Sequence, residues 1–497
     1  MQKVVVIGSG FAGLTSAICL ADEGYDVTVL EKNAAPGGRA RKFCEQGFTF
    51  DMGPSWYWMP DVFERFFQKF GKSVSQYYNL QRLDPSYRVF FDQNEIVDVP
   101  ADTDDLSALF ESMEPGSSKN LHKFLKQAKY KYEVGINDLV YKPGRSLLEF
   151  ADLRVLKGLF KLDLLQPISK HIRKLFRNKR IIQLLEFPVL FLGAMPKQTP
   201  ALYSLMNYAD LKLGTWYPKG GMHKIIEALV SLAYEKGVKI ECGQDVIKII
   251  VREGLAKSVL TRSGLFEADI VVGGADYRHI DQKLLGPAYR QYSEKYWDTR
   301  KLAPSSLIFY LGINKKLKNL EHHNLFFDED FQTHAKEIYE TPKWPENPLF
   351  YVSVTSKTDD SVAPEGCENL FILIPIAPGM EDNEEIREKY YQLVMNRMEK
   401  LTKQSIQTHV TLKKSYCIND FKKDYNAFKG NAYGLANTLR QTAILKPSMK
   451  SNKIKNLYYT GQLTVPGPGV PPAIISGQVV AREIQKEFSL TKSKQLA

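Results

Sequence analysis

The feature that most constrains this chain lies within its first 31 residues. Val4-Val-Val-Ile7 is a uniformly apolar, β-branched run, the pattern of a strand buried on both faces of a parallel sheet, and it enters Gly8-Ser9-Gly10-Phe11-Ala12-Gly13. Leu14, Ala17, Ile18 and Ala21 then recur at helical spacing over 11–24, Gly24 supplies a stop, and 26–30 alternates as a second strand ending in Glu31. A lone GxGxxG is weak evidence, because glycine turns have structural uses of their own. Inside a complete βαβ unit each glycine has its own physical reason. The first permits the tight turn, the second lets backbone approach a pyrophosphate, and the third lets helix and strand pack closely. The helix N-terminus faces the phosphates with free N–H groups and the positive end of its dipole. Glu31 follows 18 residues after Gly13, where a carboxylate accepts hydrogen bonds from a ribose and disfavours a 2′-phosphate. The expected ligand is an adenine dinucleotide, with NAD and FAD both open at this point.

At 497 residues the chain exceeds the size at which one core usually stops growing, so two or three structural units are expected. With 44% hydrophobic and 25% charged residues it has the composition of a folded protein, which excludes disordered and collagen-like classes. The net charge of +11 suits nucleic acid, an anionic membrane surface or an anionic ligand, and its location must decide among them. Cys19, Cys44, Cys242, Cys367 and Cys417 form an odd, scattered set without a CxxC pair. That argues against a disulfide framework and a zinc site, predicts no metal, and fits a reducing cytoplasm. The opening strand lacks the basic region and cleavage site of a secretory signal. The longest apolar stretch, 187–195, is interrupted by Pro188 and Gly193 and is too short to span a bilayer.

Further along, Ala34-Pro-Gly-Gly-Arg-Ala-Arg41 reads as a glycine turn and 48–54 as a strand ending in a second turn. Residues 104–190 carry long helical patterns and look inserted. Trp216-Tyr-Pro-Lys-Gly-Gly221 leads into a helix over 224–236, followed by strands near 238–241, 246–251 and 268–272. Strands at 306–312, 349–354 and 369–375, with a charged helix over 384–404, suggest an α+β unit. A last strand at 456–460 enters a Pro/Gly-rich loop and a helix from Pro472. The fold class expected is α/β plus α+β. A discontinuous Rossmann-like domain takes 1–75, 205–300 and 445–497, a substrate domain takes 76–103 and 301–444, and a helical insert takes 104–204.

Pro36-Gly-Gly-Arg39, Phe50-Asp-Met-Gly-Pro-Ser55, Met59-Pro60, Trp216-Tyr-Pro-Lys-Gly-Gly221 and Gly461-(x4)-Pro-Gly-Pro-Gly-Val-Pro471 with Ser476-Gly477 together resemble the bacterial carotenoid desaturases, phytoene desaturase above all. These belong to the wider amine-oxidase-like FAD superfamily. The likeness covers both ends of the chain and 215–290, whereas 100–200 and 300–440 share mainly length and character. It implies a non-covalent FAD bound as in folds of the glutathione-reductase type. Its diphosphate would lie over Gly8, Gly10, Phe11, Ala12 and Gly13 and its ribose on Glu31, Lys32 would also contact the cofactor, and a second turn, Gly37-Gly38-Arg39, would add a fixed cation. The flavin ring would lie near Gly53, Pro54, Ser55, Gly461, Gly469, Val470 and Pro471, and the adenine beside the backbone of Val246. Glycines in the last loop would let backbone approach a flat ring, and the following helix would aim N–H groups at a flavin carbonyl. Pro468 and Gln462 depart from the family pattern.

The activity implied is desaturation of phytoene towards lycopene in carotenoid biosynthesis. Alternatives are 3,4-desaturation of a hydroxylated acyclic carotenoid or desaturation of diapophytoene. Such a reaction removes a hydride to the flavin and a proton to a base or water, and needs no Ser/His/Asp or metal constellation. Asp152 and Arg154 are the candidate acid/base pair by position in the family, and His171 and His223 read as structural. Only one dinucleotide fingerprint is present, so no nicotinamide site is expected, and the electron acceptor implied is a quinone or oxygen.

Residues 154–180 hold nine cations, Arg154, Lys157, Lys161, Lys170, Arg173, Lys174, Arg177, Lys179 and Arg180, against the single acid Asp163. Apolar residues interleave at roughly helical spacing, which predicts a basic amphipathic helix on an anionic membrane surface and a cytoplasmic, peripherally membrane-associated protein. No nucleic-acid-binding module accompanies the charge. Two rivals remain: an amine oxidase, which needs an aromatic pair that the C-terminal loop lacks, and a non-catalytic lipid-escort protein of the same fold.

Overall fold

The computed structural model describes residues 1–146, 149, 166–190, 193, 195–438 and 440–495. The opening βαβ unit forms from Lys3–Ile7, Phe11–Asp22 and Asp26–Leu30. Lys3–Ile7 is the middle strand of a five-stranded parallel sheet. Ile270–Gly273 and then Leu457–Tyr459 lie on one side of it, and Asp26–Leu30 and then Lys239–Glu241 on the other. The strand is apolar throughout Val4-Val-Val-Ile7 because both its faces are covered, and these four side chains are at most 4% exposed. The helix Phe11–Asp22 packs against Val470–Gln495, where Gly477 permits the approach: a Cβ there would lie 2.0 Å from Thr15 Oγ1.

A mixed seven-stranded sheet forms the second layer. Its strand order is Val410–Tyr416, Ser305–Ile313, Glu368–Ile376, Phe350–Ser353, His323–Phe326, Tyr87–Phe90 and Ile96–Val99. Alternation divides its faces. Phe90, Phe326, Phe350, Val352 and Ile372 pack on one side with Tyr390, Val394 and Met398 of the helix Glu384–Thr402. Phe326 pairs in register with both Phe90 and Phe350, and the three rings stack with centroids 4.6 and 4.3 Å apart. Ile308, Leu325, Tyr351, Phe371 and Leu373 point the other way, into the core shared with the parallel sheet.

The region read as an insert is helical, with Thr103–Met113, Ser117–Asn137, Ile168–Arg173 and Lys179–Leu190. The single basic amphipathic helix expected over 154–180 is not what 166–180 forms. A six-residue helix, a break and a new helix occur instead, and Ile168, Ile172 and Phe176 are buried in the core rather than presented to lipid. Arg173 pairs with Glu186, and Arg180 pairs with Glu95 at 2.6 Å over the Phe91 ring. The remainder of that stretch, 154–165, lies outside the described residues, as do Asp152 and Arg154. No described helix is long and apolar enough to cross a membrane.

Candidate functional site

A cavity of about 380 Å³ opens at the C-terminal edge of the parallel sheet, where the turns after Ile7 and Gly273 leave neighbouring strands. This is the switch point of a doubly wound sheet, the crevice where such folds bind nucleotides. Every expected cofactor residue except Gly13 lines it. Gly13 stands behind the wall, and a Cβ there would lie 2.0 Å from the Gly8 carbonyl oxygen. Gly10 is its counterpart on the open side, with nothing within 4 Å of its Cβ position. The two positions need glycine for different reasons: one for close packing, the other to leave backbone accessible.

Glu31 is 4% exposed and its carboxylate is fixed by four donors. Ser9 gives its N–H and hydroxyl to Oε2 at 3.0 and 2.6 Å, and Asn33 gives its N–H and amide to Oε1 at 2.8 and 2.9 Å. Gln244 N–H donates to the Glu31 carbonyl at 2.7 Å, which brings Val246 to the same end of the cavity. Lys32 instead donates its ammonium to the Lys423 carbonyl.

Arg39 is not the solvated loop residue its position allows. Its guanidinium donates to the Asn431 carbonyl at 3.1 Å and lies 5.1 Å from the Tyr425 ring centroid, while Nε is buried with no partner among the described residues. Burial holds its pKa below the ordinary arginine value, and the charge of Asp276 works the other way. A half-buried cation with an unused donor at the cavity wall fits an anionic ligand such as a pyrophosphate. Gln462 belongs to the same network, donating to Asn431 Oδ1 at 3.1 Å, which accounts for its departure from the expected small residue.

The segment before Gly53 is anchored by Asp51, whose carboxylate accepts the N–H groups of Met222 and His223 at 2.6 and 2.8 Å. Burial nevertheless pushes the Asp51 carboxyl up to about 6, against the pull of those two bonds. His223 Nδ1 pairs with the Ala40 carbonyl at 2.7 Å, so this histidine ties the Arg39 turn to the Trp216–Pro218 strand region as a structural residue. In the C-terminal loop Ser476 accepts the Gly461 N–H at 3.0 Å and donates to the Val465 carbonyl at 2.8 Å. The final helix starts at Val470, not Pro472. Because Pro471 and Pro472 carry no N–H, its first three positions offer a single backbone donor, and the expected group of N–H donors reduces to that of Val470.

Beyond the cofactor end the walls become apolar and aromatic, with Trp56, Trp58, Met206, Ile308, Leu373, Tyr351 and Tyr433. The sequence shows no aromatic pair in the C-terminal loop; the aromatics of this cavity come from other segments. Sequence reasoning also missed Ser9 and Asn33, the two clamps on Glu31, and the Gly274-Ala275-Asp276 turn. That turn was legible, since Ile270-Val-Val-Gly-Gly repeats the pattern of an apolar strand running into glycine. Among the described residues no group of three or more His, Cys, Asp or Glu forms a metal site.

Residues 11–485 match the model of the flavin-containing amine oxidoreductase family. The chain is 41% identical over 489 residues to a carotenoid 3,4-desaturase of Haloarcula japonica, covering 98% of this chain and 99% of that protein. It is 32% identical to a zeta-carotene-forming phytoene desaturase of Myxococcus xanthus, covering 97% and 94%. Among solved structures, an oxidoreductase from Methanosarcina mazei superposes with a TM-score of 0.65 at 18% identity, covering 97% of this chain and all of that one, a likeness of fold. The chain therefore belongs to the flavin-containing amine oxidoreductases, in the group of the carotenoid desaturases, and its cofactor is FAD.

Proposed function

We propose that this chain dehydrogenates an acyclic carotenoid, forming carbon–carbon double bonds in a chain held at the aromatic end of the cavity. The observation that carries this reading is continuity. The end lined by Gly8, Gly10, Glu31 and Arg39 opens directly onto Trp56, Trp58, Met206, Ile308 and Leu373. A hydrocarbon has no polar handle, so apolar contact and shape must position it, and this wall supplies both. FAD bound at the glycine end supplies the acceptor for a hydride. Backbone at Gly8 and Gly10 with Arg39 would hold the diphosphate, Glu31 the ribose and Val246 backbone the adenine. Gly53, Pro54, Ser55, Gly461, Gly469 and Val470 would surround the ring, in the manner of glutathione-reductase-type folds. We assign cofactor binding to 1–75, 205–300 and 445–497, and substrate binding chiefly to 76–103 and 301–444.

Phytoene, converted towards lycopene, is the substrate its motifs suggest. The higher identity to a 3,4-desaturase favours a bond near the chain end as the second reading, with diapophytoene as a third. We further assign a quinone or oxygen as the electron acceptor. Peripheral contact with an anionic membrane face would run through the exposed cations Lys170, Lys174, Arg177 and Lys179. The deciding experiment is anaerobic incubation of FAD-loaded protein with liposomes carrying each carotenoid, following flavin bleaching and the polyene spectrum together. Bleaching with a red-shifted polyene identifies the substrate; a flavin that stays oxidised with every carotenoid overturns the reading.

A further inference from the structure

Strands His323–Phe326 and Phe350–Ser353 run antiparallel, with His323 opposite Ser353 and Leu325 opposite Tyr351. His323 and Tyr351 are therefore diagonal neighbours on one face, the face turned to the cavity. Tyr351 Oη and His323 Nδ1 are 2.6 Å apart. Tyr351 and Trp56 line the cavity, and the Trp56 ring stacks on His323 at 4.2 Å and 15°. His323 is fully buried and its Nε2 has no partner among the described residues. His322 packs edge-on against it at 4.5 Å, and Asp359 acts on His322 through its charge. Two adjacent buried histidines behind a phenol are more polarity than a hydrocarbon site needs for packing, and burying polar groups without full pairing is costly.

We propose that Tyr351 and His323 accept the proton lost in each dehydrogenation, Tyr351 Oη taking it from the substrate as its own proton passes to His323 Nδ1. This rests on the desaturase reading above. Two neighbouring C–H bonds break. One leaves with its electron pair as hydride, which reduces the flavin by two electrons; the other leaves its pair behind as the new C=C bond and departs as H⁺ to the phenol oxygen. The imidazolium so formed lies against the Trp56 face, which favours a cation. Burial, helped by the neighbouring His322, holds the His323 pKa well below its ordinary value, so the ring is neutral and ready to accept before reaction. A weak base suffices, because a C–H bond beside an electron-deficient carbon is strongly acidic. Tyr351 is the residue that touches substrate; His323 acts through it.

Two measurements test this. The first needs no turnover: ¹⁵N NMR of histidine-labelled, FAD-loaded protein, with the His323 signals identified by their loss in His323→Gln. A neutral ring between pH 6 and 8 with the proton on Nε2 and a bare Nδ1 supports the proposal; a proton on Nδ1 or a charged ring overturns it. The second is anaerobic flavin bleaching at saturating carotenoid in H₂O and D₂O. For Tyr351→Phe, with FAD content and substrate Kd at wild-type values, a fall in bleaching rate of about 100-fold, within the range of general-base catalysis, is expected. The solvent isotope effect of the wild-type enzyme should vanish with it. A fall of less than about tenfold, or a retained isotope effect, overturns the proposal. Wild-type protein that no carotenoid bleaches removes the desaturase reading itself, and this proposal with it, before any variant is compared.

Discussion

The two ends of the cavity are built on opposite plans. At the cofactor end the wall comes from a few short segments whose spacing is set by backbone: the Gly8 turn, the strand tip at Glu31 and the Gly37-Gly38-Arg39 turn. Its carboxylate is held in place by four donors on Glu31. At the other end Trp56, Met206, Ile308, Tyr351, Leu373 and Tyr433 arrive from six separate segments. One end is defined by where backbone can go, the other by side-chain volume. The first should fail abruptly on substitution and the second by degrees.

The largest effect is expected at Gly13. A valine there places Cβ 2.0 Å from the Gly8 carbonyl, a clash that only opening the turn relieves. Gly13→Val should purify without flavin and lose about 3 kcal/mol of stability, the upper range for overpacking. Gly10→Ala, with open space at its Cβ position, sharpens the contrast. The apo chain should keep the wild-type Tm and bind FAD more weakly, as calorimetry and flavin titration would report.

Next comes Lys446, which lies beside Gly467 of the C-terminal loop. Its ammonium is buried with no partner among the described residues, 2.8 Å from where a Cβ of residue 467 would sit. Burial lowers its pKa to about 7 from 10.5. The folded state therefore sheds this proton before the unfolded state does. Below about pH 7 both states are protonated and the full penalty applies; between 7 and 10.5 the unfolded chain binds more protons and stability rises with pH. Lys446→Met should be the more stable protein at pH 6, with the advantage shrinking by about 1.4 kcal/mol per pH unit above 7. Urea unfolding of both proteins at pH 6 and pH 9 checks it: equal differences at the two pH values would mean that the amine is not desolvated.

Glu31→Arg attacks the cofactor end through charge and hydrogen bonding at a side chain that is 4% exposed. It removes the acceptor for Ser9 and Asn33 and reverses the charge where the ribose is expected. Hydrogen bonds to a charged group contribute about 1.5–3 kcal/mol each, so FAD affinity should fall about 100-fold, read from flavin content after gel filtration. Unchanged content would move the ribose elsewhere.

The same contrast governs what the sequence revealed. The opening βαβ unit was legible to within two residues because strand, glycine turn and helix each leave a periodic or punctuating signal. So was the strand Glu368–Ile376, nine residues of almost unbroken apolar pattern. Leu255–Thr261 was missed because its charged and polar positions hide the alternation, although Glu253 and Gly254, both with positive φ, make the two-residue turn that fixes its hairpin. His323–Phe326 was missed because four residues give no period, and with it went His323 and its diagonal to Tyr351. Spacing reports neighbours along one segment. A wall assembled from six segments has no spacing to report, and the apolar run 168–176 showed its own limit, since burial in a core and contact with a lipid surface produce the same pattern.

The smallest predicted effect belongs to the substrate end. Leu373 is a buried cavity residue on the interior strand Glu368–Ile376, in register with Tyr351. Phenylalanine at this position adds volume where the carotenoid is expected and touches none of the groups that hold FAD. Flavin content and Tm of Leu373→Phe should stay near wild type. Discrimination in an apolar pocket changes by about 1–3 kcal/mol per methylene-sized step, so the ratio of kcat/KM between two carotenoids should shift about tenfold, with a changed product distribution by chromatography. A variant that instead lost its flavin would show the two ends to be one cooperative structure, and would erase the division between backbone-built and volume-built walls.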